Sequence, residues 1–270
     1  MNIQINEAIP IEKFPYQKVG GMKDRSLETV DLPIYKGIIQ GLKTSSLDYL
    51  IIASDLQGNI FKNEAPILLG EVLPDFLKLL FDTEFPTVNL DRVGVLLCGD
   101  FYARLDKRGG LGDVKKVWQS FNQYFGFIVG VAGNHDDFGD FWEFEAFKEE
   151  PGIYYLDGKT ITIGDLKIAG LSGIIGKPSK AFRNEETYHL KTIKHLLRQE
   201  PDFLLLHQSP NHLDPKLPGN NKIRETIEAG KKTVVCCGHS HWSTSLVEME
   251  NGTQIINADA KCIILEIKEN

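Results

Sequence analysis

With 270 residues, 42% of them hydrophobic and 10% aromatic, the chain can bury one large core or two small ones, which sets aside the disordered and fibrous classes. Its 30 Lys+Arg against 37 Asp+Glu give a formal charge of -7 and a pI of about 5.6, which argues against a general binder of nucleic acid or of an anionic membrane. The first residues, Met1 to Glu7, lack the basic region and long apolar core of a secretory signal, and no later run approaches membrane-spanning length, so a cytoplasmic protein is expected.

In chain order, residues 1–46 mix Pro, Gly, Lys and Glu without sustained periodicity and read as an N-terminal arm carrying at most a short strand or a turn of helix. From Leu47 onward (47–270) a single domain is expected. Apolar runs bounded by Gly and Asp follow at Tyr49 to Ala53, Val93 to Cys98 and Phe127 to Val131, each predicting a strand buried on both faces. Helices are predicted between them, over Pro66 to Phe81 with an interruption at Pro74, and over Val114 to Tyr124, where Val114, Val117, Trp118 and Phe121 share one face. Short strands come next, Ile153 to Leu156, Thr160 to Ile163 and Leu166 to Leu171, with hairpin turns expected at Asp157-Gly158 and Gly164-Asp165. A helix over Glu185 to Arg198 precedes strand Phe203 to Leu206, a second over Lys222 to Ala229 precedes Thr233 to Cys237, and three strands turned at Asn251-Gly252 and Asp259-Ala260 close the chain. The alternation predicts an α/β protein with two packed mixed sheets flanked by helices. Cys98, Cys236, Cys237 and Cys262 all fall within strand-like runs and read as buried reduced thiols.

Five short islands of ligand-type residues each follow an apolar strand-like run: Asp55-Leu56-Gln57-Gly58-Asn59, Gly99-Asp100, Gly133-Asn134-His135-Asp136, His207, and Gly238-His239-Ser240-His241. Carboxylate, imidazole and amide groups gathered at strand ends suit a centre of two divalent cations. Asp100, placed where open α/β sheets collect ligands, can give one oxygen to each of two cations. Asn134 can offer an amide oxygen, and His135, flanked by Asp136, can be oriented and kept protonated by that carboxylate for work on a leaving oxygen. In an extended segment His239 and His241 project from one face and can serve neighbouring metals. Taken singly, each island also reads as an ordinary turn or core residue, and the set carries the inference. His189, His195 and His212 are read as non-ligands.

In this order the islands resemble the calcineurin-like metallophosphoesterase superfamily, whose pattern runs Asp-x-His, Gly-Asp, Gly-Asn-His-Asp or Glu, a lone His, and Gly-His-x-His. The stretches Gly170 to Gly173 and His207 to Pro210 look like its cyclic-nucleotide-phosphodiesterase-like branch. The resemblance implies a four-layer α-β-β-α sandwich. It also implies that Asp55, Asp100 and His241 hold one metal and Asp100, Asn134, His207 and His239 the other, with His135 the catalytic histidine beside them. Gln57 stands where the family usually has histidine, and a neutral amide oxygen there makes the first position harder and weaker for zinc or iron than for manganese. Gln57 is expected to ligate through that oxygen.

The expected activity is therefore hydrolysis of a small phosphoester, with two divalent ions (manganese first, iron or zinc as alternatives) and a bridging hydroxide attacking phosphorus while His135 and Asp136 assist the leaving group. A phosphodiesterase is favoured; the rivals are a phosphomonoesterase or protein phosphatase, and a non-catalytic binding module that kept the fold. Phe101, Tyr102 and Arg183 are the candidate substrate contacts, and Arg104, Asp106, Lys107 and Arg108 before Gly109-Gly110 read as a polar loop at the metal edge.

Overall fold

A computed structural model describes residues 1–20 and 26–268. The chain opens on β1 (Asn2–Asn6), β2 (Glu12–Val19) and β3 (Leu27–Gln40), then enters β4 (Tyr49–Ser54). A small hairpin of β5 (Asn59–Lys62) and β6 (Ala65–Leu68) leads to α1 (Leu69–Glu84) and β7 (Val93–Leu97). After β8 (Gly112–Asp113) come α2 (Lys115–Asn122), β9 (Phe127–Gly130), β10 (Asp136–Asp137), α3 (Phe141–Lys148) and β11 (Ile153–Tyr155). The second half runs β12 (Lys159–Ile163), β13 (Leu166–Leu171), β14 (Ile174–Ile175), β15 (Arg183–Asn184), α4 (Glu186–Leu197), β16 (Phe203–Gln208) and α5 (Asn221–Glu228). It ends with β17 (Val234–Gly238), β18 (Leu246–Glu248), β19 (Gln254–Asn257) and β20 (Lys261–Lys268). No helix among the described residues is long and apolar enough to cross a membrane.

Apart from two small parallel pairs, β8 with β10 and β14 with β15, the strands form two mixed sheets. One has the order β11-β9-β7-β4-β20-β3-β2-β5-β6, with β1 also on β3; the other runs β12-β13-β16-β17-β19-β18. Strands β4, β7, β9 and β11 are mutually parallel, as are β13, β16, β17 and β19. Alternation along each strand sends side chains to two different cores. Leu50 and Ile52 of β4 meet Phe203, Leu205, Val234 and Cys236 between the sheets, whereas Ile51 and Ala53 face Leu73, Val117 and Trp118 of the first helical layer. A third core, with Leu204, Leu206 and Val235, packs Ile193, Leu196, Ile223 and Ile227 of α4 and α5 onto the outer face of the second sheet. The layers are helix, sheet, sheet, helix, as expected from the doubly buried apolar runs. The four cysteines are buried and free.

Four expectations need correction. Residues 1–46, expected to be an arm, supply three strands of the first sheet; β3 lies between β20 and β2, and its alternation is disguised by Pro33 and by Gly37. A Cβ at Gly37 would lie 2.4 Å from the Gln4 carbonyl oxygen, so the close approach of β1 excludes the side chain that would have completed the pattern. Residues 21–25 of that segment lie outside the described residues. The turn at Asp157-Gly158 is no hairpin, because β11 and β12 belong to different sheets and the chain crosses there; Asp259-Ala260 marks the return crossing. Pro66 lies in β6, and α1 continues through Pro74, which gives up the single bond to the Gly70 carbonyl. The unpredicted α3 begins at a capping box, Asp140 with Glu143.

Candidate metal centre

The C-terminal ends of β4, β7, β9, β16 and β17 converge on one edge, and each of the five islands sits on one of them. Three residues there hold left-handed backbone, Asp55 (φ 53°), Asp100 (φ 59°) and His239 (φ 66°). For residues with a Cβ this conformation costs on the order of 1 kcal/mol each and persists where surrounding structure imposes it. Two glycines make the room: a Cβ on Gly133 would lie 2.0 Å from Asp100 Oδ1, and one on Gly238 would lie 2.1 Å from Asp55 Oδ2.

Asp100 is the hub. Its Oδ1 accepts the His135 backbone N–H at 2.9 Å, and its Oδ2 faces His207 Nε2 at 3.3 Å, Gln57 Nε2 at 3.3 Å and His135 Nε2 at 3.9 Å. Burial, the largest single influence, would raise the Asp100 carboxyl, but the His207 charge and hydrogen bond together with the charge and backbone N–H of His135 outweigh it and hold the group below the usual range. His207 is fully buried; burial is the largest influence and opposes its protonation, yet the Asp100 charge and hydrogen bond, with the Asp55 charge and the Cys98 carbonyl, raise it to about 10.

The donor geometry fits a metal in this half of the site. The His207 Nδ1–H donates to the Cys98 carbonyl at 2.8 Å, which directs Nε2 toward Asp100 in the centre, and the buried Asn134 Oδ1 has no hydrogen-bond partner among the described residues. Ligand atoms of Asp100, His207 and His239 lie within 4.8 Å of one another. His239 is held neutral, pushed down to about 4 by burial and then by the His207 charge, which leaves its ring nitrogen available. Together with Asn134 these supply a mixed oxygen and nitrogen set suited to manganese, iron or zinc.

The other half is looser. Burial first, then the charges of Asp259 and Asp100, raise Asp55 well above the usual carboxyl range, though His207 opposes this. Its Oδ2 is fixed by Ser54 Oγ at 2.7 Å and by the His239 backbone N–H at 2.9 Å. Gln57 turns its amide nitrogen, not its oxygen, toward Asp100. The His241 side chain is 78% exposed and donates from Nδ1 to Asp259 Oδ2 at 2.9 Å.

Asp136 does not orient the His135 ring. Its Oδ2 accepts the backbone N–H groups of Asp100 and Gly133, each at 2.8 Å, and its Oδ1 accepts that of Phe101 at 2.7 Å. Burial and the Asp100 charge raise it to about 6. It is the buried clamp that shapes the Asp100 turn: three backbone donors fix both of its oxygens. The His135 ring instead donates from Nδ1 to the Gly110 carbonyl at 2.6 Å, leaving Nε2 on the side of the centre.

A cavity of about 430 Å³ opens over the centre. Asp55, Gln57, His239, His241 and Asp259 line it together with Tyr16, Lys18 and Glu28 of the N-terminal hairpin and Tyr102, Arg104, Lys107 and Arg108 of the loop after β7. Tyr102 therefore borders the site as expected. Phe101 does not: it is fully buried, edge-on to Trp118 at 6.5 Å, because its backbone is pinned by Asp136. Arg183 lies on β15 with its Nε buried and unpartnered, and is absent from the cavity wall. Sequence reasoning missed Asp259, which reads only as a turn acid, and the hairpin residues, since nothing in residues 1–46 announced that they return to the centre.

The profile of the calcineurin-like phosphoesterase family matches residues 50–243. The chain belongs to this family. Residues 1–49 and the Asp259 turn lie outside the matched span. Among solved structures the fold is similar to TT1561 of Thermus thermophilus, with a TM-score of 0.55 and 16% identity over 79% of this chain and 90% of that one. More distant similarities are to the sulfate thiohydrolase SoxB of Thermus thermophilus (TM-score 0.45, 13% identity, 81% and 52% of the chains) and to an archaeal phosphodiesterase (TM-score 0.36, 18% identity, 78% and 83%). No curated protein sequence matches the chain significantly. Family and donor set agree on a metal-dependent phosphoester hydrolase.

Proposed function

We propose that the chain hydrolyses small phosphodiesters with two divalent cations, manganese foremost, held by Asp55, Gln57, Asp100 and His241 in one position and by Asp100, Asn134, His207 and His239 in the other. The observation that carries this reading is the buried Asn134 Oδ1, which has no hydrogen-bond partner among the described residues, beside the Asp100 carboxylate and the buried His207 Nε2 that faces it at 3.3 Å. When bound, such cations lower the pKa of a coordinated water and neutralise phosphoryl oxygens.

The chain's own residues supply the rest. His135, fixed through Nδ1 by the Gly110 carbonyl, presents Nε2 from which a proton can pass to the departing oxygen. Asp136 keeps Asp100 in its strained turn so that both carboxylate oxygens stay in use. A diester needs room for a substituent on each side of phosphorus, and the cavity extends both toward the Tyr16 hairpin and toward the Tyr102 to Gly109 loop. The nearby Lys107 and Arg108 are exposed and form no ion pair with any described residue, so they are free to meet an anionic substrate. Competitive hydrolysis of an aryl phosphodiester and the matching aryl phosphomonoester, with added manganese, tests the reading. A higher kcat/KM on the diester is expected, and a large preference for the monoester would refute it.

A further inference from the structure

The two halves of the centre differ in a way that points to a residue outside the family's matched span. On the His207 side the ligand atoms of Asp100, His207 and His239 are already gathered, with Asp100 and His207 buried. On the Asp55 side a neutral amide replaces an imidazole, and the remaining histidine, His241, stands mostly in solvent. An imidazole so placed is an inefficient ligand unless its ring is held, because ordering a free ring on binding costs entropy.

Asp259 holds it, and the fold braces Asp259 in turn. The fully buried Asn257, at the end of β19, accepts the Asp259 backbone N–H at 3.1 Å and donates from Nδ2 to the Ser240 carbonyl at 2.9 Å. One side chain thus ties the turn that carries Asp259 to the loop that carries His239 and His241. Asp259 is further fixed by a bridge to Ser54, next to Asp55, and its side chain is only 13% exposed. With Nδ1 donating to this carboxylate, His241 is left with Nε2 as its ligand atom, in a fixed tautomer and ring orientation.

We propose that Asp259 is a positioning residue for metal binding: by orienting His241 it sets the cation affinity of the Asp55 half, which is the weaker of two unequal positions because of Gln57. The proposal rests on the two-cation reading above. It also assigns a cation class, since a half with two carboxylates, Asp55 and Asp100, and a single imidazole, His241, is oxygen-rich and favours a hard ion such as manganese over zinc.

Isothermal titration of the full-length protein with manganese, paired with electron paramagnetic resonance of the bound ion, tests this without reference to activity. Wild type should take up one equivalent tightly and a second about tenfold or more weakly. Asp259→Asn should weaken only the second equivalent, by about 10- to 100-fold, and Gln57→His should tighten only that one. Thermal melts of the cation-depleted variants should match wild type, which separates positioning from general damage. Two equivalents of equal affinity in wild type would overturn the proposal, as would an Asp259→Asn protein that binds like wild type or loses both equivalents together. Failure of wild type to bind manganese, zinc or iron at all would instead refute the underlying metal-dependent reading.

Discussion

Substitution of Gly238 by alanine isolates the steric logic of the centre. Gly238 has ordinary backbone, unlike the left-handed glycines, so alanine brings no conformational penalty and the effect comes from one methyl group. That methyl would sit 2.1 Å from Asp55 Oδ2 and 2.1 Å from Ser54 Oγ. Carbon and oxygen do not approach closer than about 3 Å, so the Asp55 carboxylate must retreat by about 1 Å, a displacement that costs on the order of 100-fold in a positioned catalytic group. It also strains the Ser54 Oγ to Asp55 bond and the His239 N–H to Asp55 bond, and overpacking of this size destabilises by about 1–3 kcal/mol. Steady-state hydrolysis of an aryl phosphodiester at saturating manganese, with urea denaturation in parallel, measures both effects. A Gly238→Ala protein with wild-type kcat/KM and wild-type metal content would refute the placement of Asp55 in the reacting centre.

Further outcomes follow from other parts of the molecule. His135→Ala should lower kcat by about 100- to 10,000-fold while bound metal, measured by elemental analysis, stays at the wild-type level, because His135 contributes a proton and not a ligand. Exhaustive chelation should abolish hydrolysis, and manganese should restore it; retained activity in the chelated protein would contradict the metal assignment. Lys107→Ala combined with Arg108→Ala should raise KM several-fold and flatten its dependence on ionic strength, with kcat little changed, as initial-rate measurements at graded salt would show. His189 gives a pH-dependent stability term away from the centre: burial depresses it to about 4, so the neutral ring's contribution is present above its unfolded value of 6.5 and is lost as pH falls toward 4. The step amounts to about 3 kcal/mol at most, and His189→Gln should remove it from the difference between urea midpoints at pH 7 and pH 4.5.

Much of the centre was legible along the chain because each island is local. A strand, a glycine and a ligand residue lie within a few positions of one another, and the sheet edge gathers them without help from distant sequence. The same holds for the doubly buried runs, whose unbroken apolar character requires cover on both faces. What a single segment could not disclose was the partner of each polar group. His135 and Asp136 are adjacent, yet His135 closes a turn and Asp136 opens β10, and the histidine finds the Gly110 carbonyl while the aspartate finds three backbone donors. Phe101 follows Asp100 directly and is turned into the helical core because Asp100 takes left-handed backbone and Asp136 pins the Phe101 N–H.

The sequence by itself determined the layered α/β architecture, the strand ends on which the ligands sit and the chemical kind of each ligand, since these depend on residue type and short-range pattern. Only the tertiary structure decided that the opening 46 residues thread the first sheet and bring Tyr16 and Lys18 to the cavity, and that Asp259 meets His241. It also decided that Asp100, His207 and His239 bring their ligand atoms together while His241 stands mostly in solvent. Those facts depend on contacts between residues as far apart as Gln17 and Asn59 in neighbouring strands, or Ser54 and Asp259 across the two sheets' crossing, and such pairings are set by the packing of the whole chain and leave no periodic trace in any one segment.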